Sequence, residues 1–494
     1  MNIAVILRSL GTMVLLVGIA MLGCLVLSYL VPIDEGHNPA LDLGGWIISI
    51  GITLTSGFAC FIGGKVWCGK QKSQPVMRRR EAMTLVGLGW AFCALIASLP
   101  YLFCEPHLPL SSAIFEGVSG LTTTGATIFT EIEDLPKSIL LWRSVTQWVG
   151  GMGILAMFVV VLSGMGVSSK TLIGAESSLS NSDLASLQQT MRQYWIIYLS
   201  FTVLGGLGLY FLGLTPFQAV NHILTTVSTG GFGTRNDSIG GDEFTTPIKC
   251  LFILLMIMGA ISFPFYLALI RRRTLNFRQR YEEVWWYFGL LVLACVILFG
   301  AQFAEHFEAD AVDVVFNVVS LSTSTGYVSA DFEQWGGITI GVMLMLMIIG
   351  GCSGSTSGGL KVSRIVLWFR YVRVGLKQTF RPKVITPIKM NGRLVPASAL
   401  AQLLLVISLF GFFAITGAIL FRLLEHHHSA LGTLSLIISL LGNTGPAFAE
   451  MGPTESFGEL SSASKLLCSG IMILGRLEYV AVLVLFSRAL WKRY

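Results

Sequence analysis

Four short polar segments interrupt a strongly apolar chain: SGLTTTGA at 119–126, TTVSTGGF at 225–232, SLSTSTGY at 320–327 and SLLGNTGP at 439–446. Each carries one Thr-Gly pair: Thr124-Gly125, Thr229-Gly230, Thr325-Gly326 and Thr444-Gly445. Before each pair stands another polar residue: Thr123, Ser228, Ser324 and Asn443. The pairs recur about every hundred residues, always between long apolar runs, and so form an internal repeat. Their chemistry is that of oxygen. Glycine permits backbone angles that aim successive carbonyls at one axis. Threonine adds a hydroxyl, and the carbonyl end of a short helix favours a cation. Four such turns around one axis would present rings of oxygens able to replace an ion's hydration shell.

The elements that must position these turns are apolar. Of 494 residues, 53% are hydrophobic and 12% charged, with mean hydropathy +0.73. A soluble domain is about 25% charged. Ten spanning helices are expected, near 10–32, 45–67, 84–104, 139–162, 193–213, 248–270, 284–303, 338–350 continuing irregularly toward 375, 399–424 and 465–490. The first is read as a retained helix, because no small-residue cleavage site precedes a polar region. Shorter segments at 111–122, 216–227, 311–322 and 431–441 cannot cross; each has room for about three helical turns. Nine positions before the glycines stand Glu116, Asn221 and Asn317, while Leu436 breaks the pattern. The expected fold is an all-α membrane protein: two transmembrane helices (1–75), then four pseudo-repeated helix–pore loop–helix units around one pore, at 76–180, 181–280, 281–390 and 391–494. An inverted-repeat transporter would place several spanning helices in each repeat; here each unit has two.

The net charge of +6 is explained by topology. Lys65, Lys70, Lys72 and Arg78–Arg80, then Arg271–Arg273, Arg278 and Arg280, then Lys361 to Lys383, then Lys492 and Arg493, all fall on one side of ten helices. The positive-inside rule puts both termini in the cytoplasm, and no nucleic-acid partner is needed. The opposite side is acidic, which raises local cation concentration. His426, His427 and His428 could hold a metal, but a wetted loop end is the simpler reading. No Walker A, Rossmann or HExxH motif occurs, and GGMG at 150–153 lies inside an apolar run, so the chain is not read as an enzyme.

Two further features stand out. Gly350, Gly351, Ser353, Gly354, Ser355, Thr356, Ser357, Gly358 and Gly359 break an oily helix. The glycines lower the cost of the break, and the hydroxyls can satisfy freed backbone groups. Arg476 lies in SGIMILGRLEYV, where a charge is expensive and faces a polar path or a partner. Arg143 could brace the outer end of the turns.

With its four Thr-Gly turns, the 350–361 stretch and the region around Arg476, the chain resembles the TrkH membrane subunits of bacterial Trk potassium uptake systems, within the Trk/Ktr/HKT superfamily. The resemblance implies potassium as the substrate, no cofactor on this chain, and a multi-pass protein of the bacterial inner membrane. It also implies a homodimer with one pore per protomer and a cytoplasmic TrkA-like regulatory subunit that carries the nucleotide. It makes 350–360 an intramembrane loop beneath the filter, with Arg476 beside it; the glycines let the loop move, and it is expected to be a gate. Glycine at all four filter positions leans toward potassium. A gated pore leads; a proton- or sodium-coupled potassium symporter is the alternative.

Overall fold

The computed structural model describes residues 2–31, 42–69, 79–164, 183–270, 281–381, 386–453 and 455–487. The basic stretches at 70–78 and 271–280, with Lys383, Lys492 and Arg493, lie outside the described residues. Two long helices, α1 (Ile3–Leu30) and α2 (Leu43–Gly69), pack on each other and lead the chain. Both are apolar all round. Leu16, Ile19, Ile47 and Phe58 stay exposed on their outer faces, as a lipid-facing surface requires.

The remaining chain is four segments of one pattern. The first holds α3 (Arg79–Ala97), α4 (Leu99–Phe103), the short α5 (Leu110–Leu121) and α6 (Lys137–Gly164). The second holds α7 (Asp183–Phe211), the short α8 (Pro216–Val227), α9 (Thr246–Ala260) and α10 (Phe263–Ile270). The third holds α11 (Glu282–Ala304), the short α12 (Ala311–Ser322), α13 (Gly337–Ile349) and α14 (Val362–Phe380). The fourth holds α15 (Ala397–Leu424), the short α16 (Ala430–Gly442), α17 (Ser462–Arg476) and α18 (Val480–Leu485). The short helices start where local chemistry starts them. Thr215 Oγ1 accepts the Gln218 N–H ahead of Pro216, and Ser429 Oγ accepts the Gly432 N–H.

The packing order is cyclic. Helix α6 packs on α8, α9 on α12, α13 on α16, and α17 on α5. The helix after each polar turn thus touches the short helix of the next segment, and the fourth returns to the first. Among the described residues, six helices are long and apolar enough to cross a membrane, or seven with the bent α9–α10 pair.

Two of the ten expected spans, 248–270 and 465–490, are not continuous, and the 338–375 path is irregular as expected. The 248–270 span bends by 94° between α9 and α10. The 338–375 path breaks at Gly350–Lys361, and the 465–490 span breaks at Leu477–Tyr479, where Glu478 and Tyr479 take positive φ. The backbone groups freed after Ala260 bond to the 350–361 loop, and the N–H groups of Leu477, Glu478 and Tyr479 return to carbonyls of α17, which is how irregular chain is tolerated inside an apolar bundle. The fold is helical apart from a two-residue antiparallel ribbon pairing Lys389–Met390 with Arg393–Leu394.

Glycine makes the close approaches possible. A Cβ on Gly150 would strike the Leu121 carbonyl, and one on Gly475 would strike that of Leu441, whereas Gly63 faces open space. Gly150→Val should therefore destabilise the purified protein by about 2 kcal/mol or more, read as a clear fall in melting temperature. Gly63→Val should leave it unchanged.

Candidate functional site

Each short helix ends in the same way. The backbone turns left-handed at Thr123, Thr229, Ser324 and Asn443, with φ of 53°, 53°, 54° and 53°. The N–H of each returns to the carbonyl three residues back, to Gly120, Thr226, Leu321 and Leu440. The following N–H returns five residues back: Thr124 to Ser119 at 2.9 Å, Gly230 to Thr225 at 2.8 Å, Thr325 to Ser320 at 2.9 Å and Thr444 to Ser439 at 3.0 Å. This double bond pattern is the Schellman cap, usually built on glycine. Here a side chain occupies the strained position all four times.

Two residues further on come Gly125, Gly231, Gly326 and Gly445, with φ of 82°, 78°, 81° and 101°. The second of these corrects the expected register. Gly231, not Gly230, stands where Gly125 stands, and Gly230 takes the place of Thr124, Thr325 and Thr444. The cause is local: α8 runs to Val227 and its left-handed residue is Thr229, so the next glycine position falls on Gly231. An added Cβ shows what each glycine faces. On Gly125 it would strike the Gly230 carbonyl oxygen, on Gly231 that of Thr325, on Gly326 that of Thr444, and on Gly445 that of Thr124. The contacts close from the fourth turn to the first. All four glycines line one cavity of about 210 Å³, together with Arg143, Asn236, Pro446 and Glu455. The hydroxyls of Thr123 and Thr444 are buried with no hydrogen-bond partner among the described residues.

The same one-residue correction applies upstream. The residue equivalent to Glu116 and Asn317 is His222, not Asn221; Asn221 instead accepts from Ser144 Oγ at 2.8 Å. The three equivalent side chains hold the strand that leaves each turn. Glu116 Oε2 accepts the Ile128 N–H at 3.1 Å, Asn317 Oδ1 accepts the Ser329 N–H at 3.3 Å, and His222 Nε2 lies 3.3 Å from Thr234 Oγ1. In the fourth segment, where Leu436 fills the position, its neighbour Ser435 accepts the Phe448 N–H at 3.0 Å.

Beneath the turns lies the Gly350–Lys361 loop. Its backbone patches the break in the second segment: Cys352 N–H donates to Ala260 O at 2.9 Å, and Phe263 N–H to Gly354 O at 2.9 Å. Thr356 Oγ1 lies within hydrogen-bond reach of Gly259 O and of Val227 O, at the end of α8. Gly358 N–H donates to Ser324 Oγ at 2.5 Å, and Gly359 N–H to Gly442 O at 3.0 Å. The loop thus touches the ends of three short helices. Arg476, 3% exposed, donates from Nη1 to Thr356 O at 2.9 Å; its Nε and Nη2 have no partner among the described residues. Of the two places open to Lys361, the start of the basic flank or contact with the loop it follows, the structure has the second. It is buried, and its Nζ donates to Ser357 O inside the loop.

The model of the TrkH cation transport proteins matches residues 50–305 and 284–493. The chain belongs to this family. It is 30% identical to the Trk system potassium uptake protein TrkH of Escherichia coli strain K12, over 89% of this chain and 92% of that one. It is 32% identical to the potassium uptake protein TrkI of Halomonas elongata, over 99% and 97%. The crystal structure of the potassium transporter TrkH from Vibrio parahaemolyticus superposes with a TM-score of 0.86 at 26% identity, over the whole of both chains. This TrkH-family chain is therefore a multi-pass helical membrane protein of a transport family, not an enzyme.

Three residues of this TrkH-family site carry more than their sequence signal. Arg143, 1% exposed, pairs with the fully buried Glu116 at 2.8 Å. It also donates to Gly233 O and Thr127 Oγ1 and lies 4.1 Å from the Phe232 ring centroid, so it braces the first two turns together. Glu283 on α11 accepts from both sides of the loop, the Ser353 N–H at 2.6 Å and the Ser363 N–H at 3.1 Å. Gln147 on α6 bonds to the second turn. Neither Glu283 nor Gln147 has a local pattern that marks it; only the tertiary fold brings them to the site. Of the histidine run, His428 packs on Phe421 and sits 4.0 Å from Glu450, and His426 lies against Arg422 O. Among the described residues no three His, Cys, Asp or Glu side chains converge as a metal site.

Removing one member of the Arg143–Glu116 pair strands a buried charge. Arg143→Met should cost about 3–5 kcal/mol, read from thermal unfolding. Arg143→Met with Glu116→Gln should recover much of that loss. Additive losses would contradict the brace.

Proposed function

We propose that this chain takes up potassium across the bacterial inner membrane through a gated, selective ion-conducting pore. One observation carries the reading: four equivalent glycines, from four segments about a hundred residues apart, line one cavity, and each lies against a carbonyl of the next turn. In this reading the units at 76–180, 181–280, 281–390 and 391–494 surround one axis, behind the two helices of 1–75. The filter is made of backbone oxygens from Thr123–Gly125, Ser228–Gly231, Ser324–Gly326 and Asn443–Gly445. Four such turns replace the water shell that potassium sheds on entry. Potassium is the substrate, and no cofactor of this chain takes part.

The gate is the loop Gly350, Gly351, Ser353, Gly354, Ser355, Thr356, Ser357, Gly358 and Gly359, held by Arg476 from α17 and by Glu283 from α11. A guanidinium under a cation filter repels the ion that would pass it. Opening requires these hydrogen bonds to break together. Both termini lie in the cytoplasm, the protein works as a homodimer with one pore per protomer, and a cytoplasmic TrkA-like subunit with a bound nucleotide moves the loop. The names of the Trk relatives, potassium uptake proteins matched over 92% and 97% of their length, support the assignment to potassium uptake.

The test is rubidium uptake into liposomes that hold only this protein. Potassium should compete strongly and sodium weakly, and flux should follow the rubidium gradient with no other gradient imposed. A requirement for a proton or sodium gradient would replace the pore with a symporter. Changing Arg476 to Ala removes one hydrogen bond from a charged group and should raise flux about ten-fold; changing Glu283 to Ala, which removes two, and removing 353–358, which removes several, should raise it at least as much. Unchanged flux in folded protein of all three variants would remove the gate from the account.

A further inference from the structure

The helices that follow the four turns share one more repeat position. Gln147, Met256, Met347 and Met472 each stand three residues before a glycine: Gly150, Gly259, Gly350 and Gly475. All four side chains are buried. Three are thioethers, which donate no hydrogen bond. The first is an amide.

Gln147 Nε2 donates to Gly230 O at 2.7 Å, and its Oε1 accepts the Phe232 N–H at 3.1 Å. The two bonds fix which way the amide points, since a carbonyl requires the NH₂ end and an N–H the oxygen. Gly230 O belongs to the set formed by the carbonyls of Thr124, Gly230, Thr325 and Thr444, each of which lies against a glycine of the preceding turn. A Cβ on Gly230 would strike the Gln147 amide. This explains why the second turn has glycine where the other three have threonine: the amide fills the side-chain space and reaches the carbonyl directly.

We infer that Gln147 is a specificity-determining residue, which pins one of the four filter carbonyls from outside the filter. The inference rests on the pore reading above. A carbonyl oxygen that already accepts an N–H has one lone pair engaged and resists displacement toward the axis. Whether selectivity arises from ring size or from carbonyl field strength, a ring with one fixed member closes less readily onto a smaller ion. Methionine at this position, as in the other three segments, would release the Gly230 carbonyl and let the ring contract around sodium.

The experiment is rubidium uptake by the full-length protein in liposomes, with potassium and sodium as competitors. In Gln147→Met the ratio of half-inhibitory sodium to half-inhibitory potassium should fall about five-fold, the scale of one hydrogen bond, while uptake itself persists. Gln147→Leu, which also lacks the donor, should shift the ratio the same way and serves if the methionine variant does not fold. A role in packing alone would lower uptake of every ion and leave the ratio unchanged, and that result overturns the inference. Gly326→Ala, in a turn Gln147 does not touch, separates the two levels. If it changes the ratio and the Gln147 variants do not, the inference fails and the pore stands. If no variant changes the ratio, the pore reading falls with it.

Discussion

The structure depends on a backbone conformation that L-residues avoid. Thr123, Thr229, Ser324 and Asn443 all sit in the left-handed region, at a cost of about 1 kcal/mol or more apiece. A helix that stops inside an apolar bundle must dispose of its terminal backbone groups. The Schellman bonds do this twice per helix, and they do it only with that residue left-handed. The reversal brings the next residue's carbonyl against the glycine of the neighbouring turn. With one cap relaxed to ordinary helical angles, the helix would continue and the cyclic contact among Gly125, Gly231, Gly326 and Gly445 would be lost. Tertiary packing supports the strain: the side chains at these positions are buried, and Ser324 and Asn443 bond to the loop and to α17.

The same economy of backbone groups explains the loop. A continuous α9 would leave the loop without three of its backbone partners. Because α9 bends sharply after Ala260, the carbonyls of Gly259 and Ala260 and the N–H of Phe263 are free, and the loop takes them up. Two breaks in two helices thus satisfy each other. Glu283, Arg476 and Lys361 each bond to the loop, so displacing any one of them acts on it. Adjacent Glu282 adds a route outward: it bonds to Arg370 on α14 and to the Asn391 N–H in the turn of the β ribbon.

Much of this was legible in the residues. The short helices at 216–227 and 311–322 have the bounds that their apolar runs and Pro216 imply, and those at 110–121 and 430–442 lie within a residue or so of them. The TrkH resemblance and the family match agree along nearly the whole chain. The register of the second turn was not legible, because Thr229-Gly230-Gly231 offers two glycines and only the length of α8 chooses between them. The breaks after Ala260 and Arg476 were hidden for a related reason: FPFYLALI and VAVLVL are apolar enough to continue any span. Gln147 and Glu283 were invisible because their partners are backbone atoms about eighty residues away. Lys361 read more simply as the first of a basic flank, since charge patterning cannot tell a buried lysine from its exposed neighbours.

The most direct test of the central claim is a crystal structure of this protein in thallium or rubidium, with the ion located by its anomalous signal. The account predicts a peak on the axis among the carbonyls of Thr124, Gly230, Thr325 and Thr444, above the Gly350–Lys361 loop. A peak outside this ring, or none in protein that carries rubidium in liposomes, would contradict it.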